Sequence, residues 1–308
     1  RGFGDRVREG RFRGRFAGEV PAFEIRELLK AVALKSSVQA NRLFELIRAA
    51  YRLASYEGRV ESVPALKRPA KSTSRERVLT QREITAFWKA TETATLIPRQ
   101  RKAPKDAEKA RRAQDKAEAD RRPISLQARA ALRMLLTLGR RKGETLAMRW
   151  ADIDGAVWRM PGATGKGGKA HTVPLSTLAL EILEELRPIT GAEGRVFAGI
   201  SATNMHGRAF RAVREAVTRE LKTTPFSIHD LRRTFTTQAR ELCNLRPDVV
   251  GDVLGHISGK HASAATASYD KSTGTASKES ALEAWGETLR RIVGGEVIGD
   301  KGKILAFR

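Results

Sequence analysis

The sequence predicts a mainly α protein carrying one small antiparallel β-sheet, with a smaller helical domain ahead of the main one. Three observations support this reading. Apolar residues recur at spacings of three and four along most of the 308 residues, the period of half-buried helices. Two short apolar runs, Val157–Met160 and His171–Leu175, flank a Gly-rich loop in the manner of a β-hairpin. A polar, Pro-interrupted stretch over residues 64–76 separates two helical blocks.

In chain order, residues 1–20 are rich in Arg and Gly without a period, and read as a disordered basic arm or a truncated element. Residues 21–63 carry Ile25, Leu28, Leu29 and Val32, then Leu43, Leu46, Ile47 and Tyr51, as helices with one buried face. Residues 64–76 form the linker. The main domain spans 77–293 and opens on Thr80-Gln-Arg-Glu83, the spacing of a helix-capping box. Within it, 99–122 is a charged insertion with pairs such as Glu108/Arg112 and Glu118/Arg122. It reads first as a solvated helix or flexible segment and second as a contact tracking a polyanion backbone. Ser125–Met148 is helical in period, with Gly139 a helix-end signal. Leu178–Val293 is helical in segments, and 294–308 is a tail. No repeat of solenoid period occurs.

Charge narrows the function. Lys and Arg total 58 against 35 Asp and Glu, a net charge of +23, which favours nucleic acid or an anionic membrane surface as partner. No apolar run approaches the ~18–20 residues that span a bilayer. Arg1-Gly-Phe-Gly-Asp-Arg6 lacks the apolar stretch of a secretory leader. The single cysteine, Cys243, rules out an intrachain disulfide framework and a multi-cysteine zinc site. The five histidines form no zinc-binding spacing, so no metal site is expected. The expectation is a soluble, cytoplasmic chain with no membrane partner. Because it starts without Met, it reads as a truncated copy or a piece of something longer.

Several segments could carry chemistry. Gly162-Ala-Thr-Gly-Lys-Gly-Gly-Lys169 looks at first like a phosphate loop. No register supplies a Walker A motif, so ATP hydrolysis is not expected, although Lys166 and Lys169 on a hairpin tip could reach a phosphate. Gly139-Arg-Arg-Lys-Gly-Glu144 clusters guanidiniums after a helix end, where a planar fork suits phosphate oxygens. His229 and Arg232, three apart on a helix, offer a proton acceptor and a phosphate clamp on one face. Leu254-Gly-His256 is followed thirteen residues on by Tyr269, among small polar residues that give an aromatic no core.

In order, these pieces resemble the tyrosine recombinase, or phage integrase, family of site-specific recombinases. The family pattern is an Arg in a Gly-x-Arg-x-Gly-Glu turn, a hairpin Lys, His-x-x-Arg, Leu-Gly-His and then a nucleophilic Tyr. Here these are Arg141 with Glu144, Lys166, His229 with Arg232, His256 and Tyr269. Arg140 competes with Arg141, and counting back from Gly143-Glu144 favours Arg141. The likeness covers about 77–293. It extends more loosely to residues 21–63, similar to a partial helical core-binding domain, short for the family. The charged insertion is also longer than usual.

The resemblance implies a core-binding domain plus a tyrosine-recombinase-like catalytic domain. It also implies DNA strand cleavage and rejoining through a 3′-phosphotyrosyl intermediate, with no cofactor, ATP or metal. Tyr269 is the implied nucleophile, Arg141 and Arg232 the phosphate clamp, Lys166 the general acid and His229 the general base. His256 would donate a hydrogen bond to the phosphate, and Glu144 would orient the basic groups. Lys169, Arg233, Arg42 and Arg48 would contact DNA. The implied partners are double-stranded DNA, three further protomers in a homotetramer on DNA, and DNA-bending accessory proteins, with the chain on the bacterial nucleoid when bound. The amphipathic segment Glu279–Leu289 would dock on a neighbouring protomer or pack on its own domain. The leading reading is the integrase of a mobile element. The alternatives are a Xer-type chromosome resolvase and a truncated, non-catalytic DNA-binding remnant.

Overall fold

Ser36 sets up the longest element of the first of two units into which the chain divides, residues 1–75 and 76–308. The computed structural model describes residues 17–71, 76–96, 111–112, 121–162, 170–191, 194–200, 208–255, 275–299 and 304–305. In the first unit, α1 (Ala22–Ala33) follows Pro21, whose ring holds φ at −64°. The helical block beginning at residue 21 breaks at Leu34–Ser36. There the Ser36 hydroxyl accepts a hydrogen bond from the Gln39 amide at 3.3 Å and caps α2 (Ser37–Tyr56). Ile25, Leu29 and Phe44 are buried between the helices, with Leu43, Ile47 and Leu66 packed against them. Asn41 brackets Ala70, donating to its carbonyl at 3.0 Å and accepting from its amide at 3.3 Å. The polar stretch after Pro64 is therefore fastened to α2 as far as Ala70.

The second unit opens with α3 (Gln81–Thr93), and the capping box expected at Thr80 and Glu83 is formed. The Glu83 amide donates to the Thr80 hydroxyl at 3.3 Å, and the Thr80 amide donates to the Glu83 carboxylate at 2.9 Å. Two antiparallel residue pairs, β1 (Thr95–Leu96) with β2 (Arg122–Pro123), join the ends of the charged insertion. Glu108 and Glu118 lie outside the described residues, so the pairs expected with Arg112 and Arg122 do too.

Ser125–Met148 is two helices rather than one. α4 (Leu126–Leu138) ends at Gly139, which adopts φ +61°. A Cβ there would lie 2.3 Å from the Phe235 ring, so glycine permits both the left-handed turn and the close approach. The chain restarts as α5 (Lys142–Leu146).

The expected hairpin forms between β4 (Val157–Met160) and β5 (His171–Pro174), with Trp158 opposite Val173 and Met160 opposite His171. A third strand that the pattern did not show, β3 (Ile153–Asp154), pairs antiparallel with β4. Helices α6 (Thr177–Glu184), α7 (Arg187–Thr190), α8 (Phe210–Leu221), α9 (Ile228–Leu242), α10 (Pro247–Val253) and α11 (Thr275–Val293) complete the layers. A last antiparallel pair, β6 (Val297–Ile298) with β7 (Ile304–Leu305), follows. Gln81 bonds both backbone groups of Ile298, at 2.6 and 2.8 Å, fastening the start of the tail to α3.

α11 packs on its own domain. It buries Leu282, Trp285, Leu289 and Ile292 in its own domain. Trp285 meets Phe235 edge to face at 5.9 Å and donates its indole N–H to the Leu136 carbonyl at 3.1 Å. Among the described residues no helix is long and apolar enough to cross a membrane.

Candidate active site

Three helix ends and the hairpin meet at one cationic cluster. The Gly139 turn delivers two adjacent arginines with opposite fates. Arg141 is the N-cap residue of α5 in extended conformation, φ −67° and ψ 143°. Its side chain points outward, 37% exposed, and donates to Glu144 at 2.8 Å. Arg140 points inward. Its guanidinium donates to the Val253 carbonyl at 3.0 Å and pairs with the other Glu144 oxygen at 3.0 Å. Of the two candidates for the clamp, the structure leaves Arg141 accessible and buries Arg140.

Glu144 is buried and accepts from both arginines and from the Arg141 amide at 3.2 Å. Burial alone would raise its pKa. The Arg141 hydrogen bond and the Arg140 charge outweigh that and hold it below the ordinary carboxylate value. It is an ionised anchor for two guanidiniums.

α9 supplies the His-x-x-Arg pair from its first turn, as the spacing predicted. The helix starts there because Ser227 and Asp230 cap it reciprocally. The Asp230 carboxylate accepts from the Ser227 amide at 2.7 Å and its hydroxyl at 2.8 Å. Arg232 is buried, donating to the Gly139 carbonyl at 2.9 Å and the Leu254 carbonyl at 3.2 Å. It thus joins the Arg140–Arg141 turn to the end of α10. Burial and the neighbouring Arg141 and Arg140 push its pKa down to about 10, which leaves it cationic at neutral pH.

His229 is exposed beside it. Partial desolvation, then the Arg233 and Arg232 charges, lower its pKa, so it is neutral and able to accept a proton near pH 7. Arg233 donates to Asp230 at 2.9 Å.

Two groups that the sequence reading passed over complete the cluster. His171, the first residue of β5, hydrogen-bonds the Val253 backbone. Burial, then Arg140 and Lys278, bring its pKa to about 4, so it is neutral. Lys278, buried on α11, donates to the Thr172 carbonyl at 3.2 Å and has its pKa lowered, chiefly by burial. His171 reads as an ordinary strand residue, with nothing local to mark it. Lys278 precedes the amphipathic segment at Glu279 and lies in helical phase with Ala281, Leu282 and Trp285, so a lysine on the apolar stripe was the signal that could have found it.

The structure therefore brings together Arg141, Glu144, His229, Arg232 and Arg233. Lys166, Lys169, His256 and Tyr269 lie outside the described residues, though the structure fixes the segments that lead to them. β4 and β5 bound the Lys166 loop, and Leu254-Gly255 directly precedes His256. Arg42 and Arg48 belong to the first unit. Arg42 is exposed on α2, and Arg48 lies over the Phe44 ring at 5.9 Å. Among the described residues, no three His, Cys, Asp or Glu side chains are grouped so as to hold a metal ion.

The sequence model of the phage integrase family matches residues 105–272, more than half of the chain and the span that carries every predicted site residue of the second unit. The chain belongs to the phage integrase family. Its curated relatives include prophage integrase IntA of Escherichia coli K12, 27% identical over 177 residues, covering 57% of this chain and 42% of the relative. Tyrosine recombinase XerD of Mycobacterium tuberculosis is 33% identical over 146 residues, covering 44% and 46%. The chain spans less than half the length of these curated relatives. Among solved structures, a lambda integrase (75-356) dimer bound to a COC′ core site aligns with TM-score 0.56 at 20% identity, covering 79% of this chain and 81% of that one. The Tn1549 transposon integrase (residues 82–397), solved with circular intermediate DNA, aligns with TM-score 0.56 at 14% identity, covering 85% and 88%. The mainly α fold with small antiparallel sheets is thus that of integrase catalytic domains.

Proposed function

We propose that the protein is a site-specific DNA recombinase, the integrase of a mobile element, which cleaves and rejoins strands through a 3′-phosphotyrosyl intermediate. The observation that carries this reading is the convergence of Arg141, Arg232 and neutral His229 on one cationic face, with Glu144 anchoring the first arginine. The Tyr269 phenol oxygen attacks the scissile phosphorus and its proton passes to His229. A new P–O bond to tyrosine forms as the P–O5′ bond breaks, and Lys166 gives the leaving 5′-oxygen its proton. Charge that grows on the non-bridging oxygens is met by Arg141 and Arg232, fixed in advance by Glu144 and by two backbone carbonyls. His256 donates a further hydrogen bond. Attack by a 5′-hydroxyl on the phosphotyrosine reverses the step. One phosphodiester is exchanged for another ester of similar energy, so no ATP is consumed.

The net charge of +23 supports a duplex DNA partner held through its phosphates, with affinity falling steeply as salt rises. Lys169, Arg233, Arg42 and Arg48 are the proposed backbone contacts. Lambda integrase has been solved as a tetramer bound to a Holliday junction, a chain with which this one shares its fold. A tetramer on DNA, and recruitment of DNA-bending proteins, are proposed for this chain on that likeness.

Covalent trapping on nicked duplexes in EDTA tests the reading. A DNA adduct at Tyr269, lost in Tyr269→Phe while gel-shift binding survives, is the expected result. Unchanged adduct in Tyr269→Phe would sink the assignment. Binding by the parent chain with no adduct would point instead to a DNA-binding remnant. Sequencing the trapped DNA separates a mobile-element site from a chromosomal resolution site.

A further inference from the structure

Arg140 is the second arginine of the Gly139 turn and the one the proposed phosphate clamp does not use. It is 2% exposed, yet it carries a full charge inside the domain. A buried guanidinium is unfavourable unless its donors are answered, and here its two terminal nitrogens are answered from three separate segments, while its Nε has no hydrogen-bond partner among the described residues. The Val253 carbonyl at the end of α10 accepts at 3.0 Å. The Glu144 carboxylate, which also holds Arg141, pairs at 3.0 Å. The Met160 sulfur, on β4 at the mouth of the hairpin, lies 3.5 Å away.

Gly255 shows how closely the turn before His256 is moulded to this side chain. Its φ is +66°, and a Cβ built there would stand 2.8 Å from the Arg140 Nη1. Arg232 bonds the next carbonyl, Leu254, so two arginines hold successive carbonyls of one turn.

We infer that Arg140 is a positioning residue: it sets the Val253–Gly255 turn, and through it the path to His256, against the Glu144 anchor of Arg141. This rests on the strand-transfer reading given above. The charged and titratable groups facing Arg140 are Glu144, Arg141 and Arg232 beside it, Lys278 on α11 and His171, uncharged, on β5. With more cations than carboxylates around it, Arg140 is held by geometry and not by surplus negative charge. An apolar residue of equal length would fill the same space. It would take the Arg140 donor from the Val253 carbonyl, leaving His171 there alone, and leave Glu144 with a single guanidinium partner.

Arg140→Met, with Arg140→Lys as a second variant in case Met blocks folding, separates positioning from bulk stability. Hydrogen exchange on the full chain reads the turn directly. The Leu254 and Gly255 amides, bonded to Val250 and Asp252, should exchange at least about tenfold faster in the variant, while amides in α4 stay protected. Cleavage of nicked duplex should slow on the order of 10²-fold, as a small misplacement of a catalytic group does, with DNA Kd within about threefold. Gly255→Ala should give the same pattern, and the double variant should lose less than the product of the two single losses.

Parental exchange at Leu254 and Gly255 in a folded Arg140 variant would overturn the inference. So would parental cleavage, or losses that multiply. If the parent chain forms no adduct with any DNA, the strand-transfer reading fails, and the exchange measurement still decides whether Arg140 sets the turn.

Discussion

The two units of this chain handle buried charge in opposite ways. The first has a core of Ile25, Leu29 and Phe44 and leaves Leu34, Val38, Leu46 and Tyr56 exposed. Its ion pairs, Lys30–Glu27 and Arg68–Glu45, lie at the surface, where each adds little. The second packs one continuous core across its helices and sheet, and inside it buries Arg140, Glu144, Asp230, Arg232 and Lys278. A charge can be taken out of water only where a rigid surround supplies its partners at fixed positions. The large core of the second unit is therefore the precondition of the cationic site. The first unit offers cations on an accessible surface instead.

The contrast breaks most visibly at Trp285. Replacement by Ala should cost about 3–5 kcal/mol, the range for emptying a large aromatic from a core, and urea unfolding of the second unit measures it. Slightly smaller effects separate the two proposed clamp arginines. Arg141→Ala and Arg232→Ala should each lower adduct formation by about 10²–10³-fold in single-turnover assays. Arg232→Ala should also destabilise by about 1–3 kcal/mol, because the Gly139 and Leu254 carbonyls lose their donor. Arg141→Ala should cost less, because Arg141 is half-exposed and Glu144 keeps Arg140 as its partner. Equal stability losses in the two variants would erase the distinction between a scaffold arginine and an exposed one.

Acid should act on the second unit through His171. Its folded-state pKa of about 4 lies below the ordinary 6.5, so the unfolded chain takes up the proton first. Stability is full above pH 6.5 and declines as pH falls towards 4, by on the order of 3 kcal/mol. Unfolding in urea at a series of pH values should show this acid limb, and His171→Gln should flatten it. The smallest effect belongs to the first unit. Ser36→Ala removes the α2 cap and should cost about 1 kcal/mol, seen as faster amide exchange in α2 with the second unit unchanged.

Much of the fold was legible because its signals are local. The Thr80–Glu83 box, the two hairpin strands Val157–Met160 and His171–Leu175 and the helix that carries His229 and Arg232 each show in a run of neighbouring residues. The same holds for Arg141, Glu144, His229 and Arg232, which sit in short motifs. The split of Ser125–Met148 at Gly139 was half visible. The glycine signalled an end, but the Phe235 ring that requires glycine there lies far along the chain. Strand β3 was missed because two residues show no alternation.

The sequence by itself determined a mainly α domain with a hairpin, an electropositive chain and a set of motif residues in one order. Those follow from periodicity, capping chemistry and charge, which each residue carries with it. Tertiary structure decided which of two neighbouring arginines faces solvent, that His171 is neutral, and that Lys278 reaches the β5 backbone across the sequence. It also decided that α11 buries its apolar face in its own domain. Burial and pairing are properties of what surrounds a side chain, and those surroundings exist once distant segments have packed.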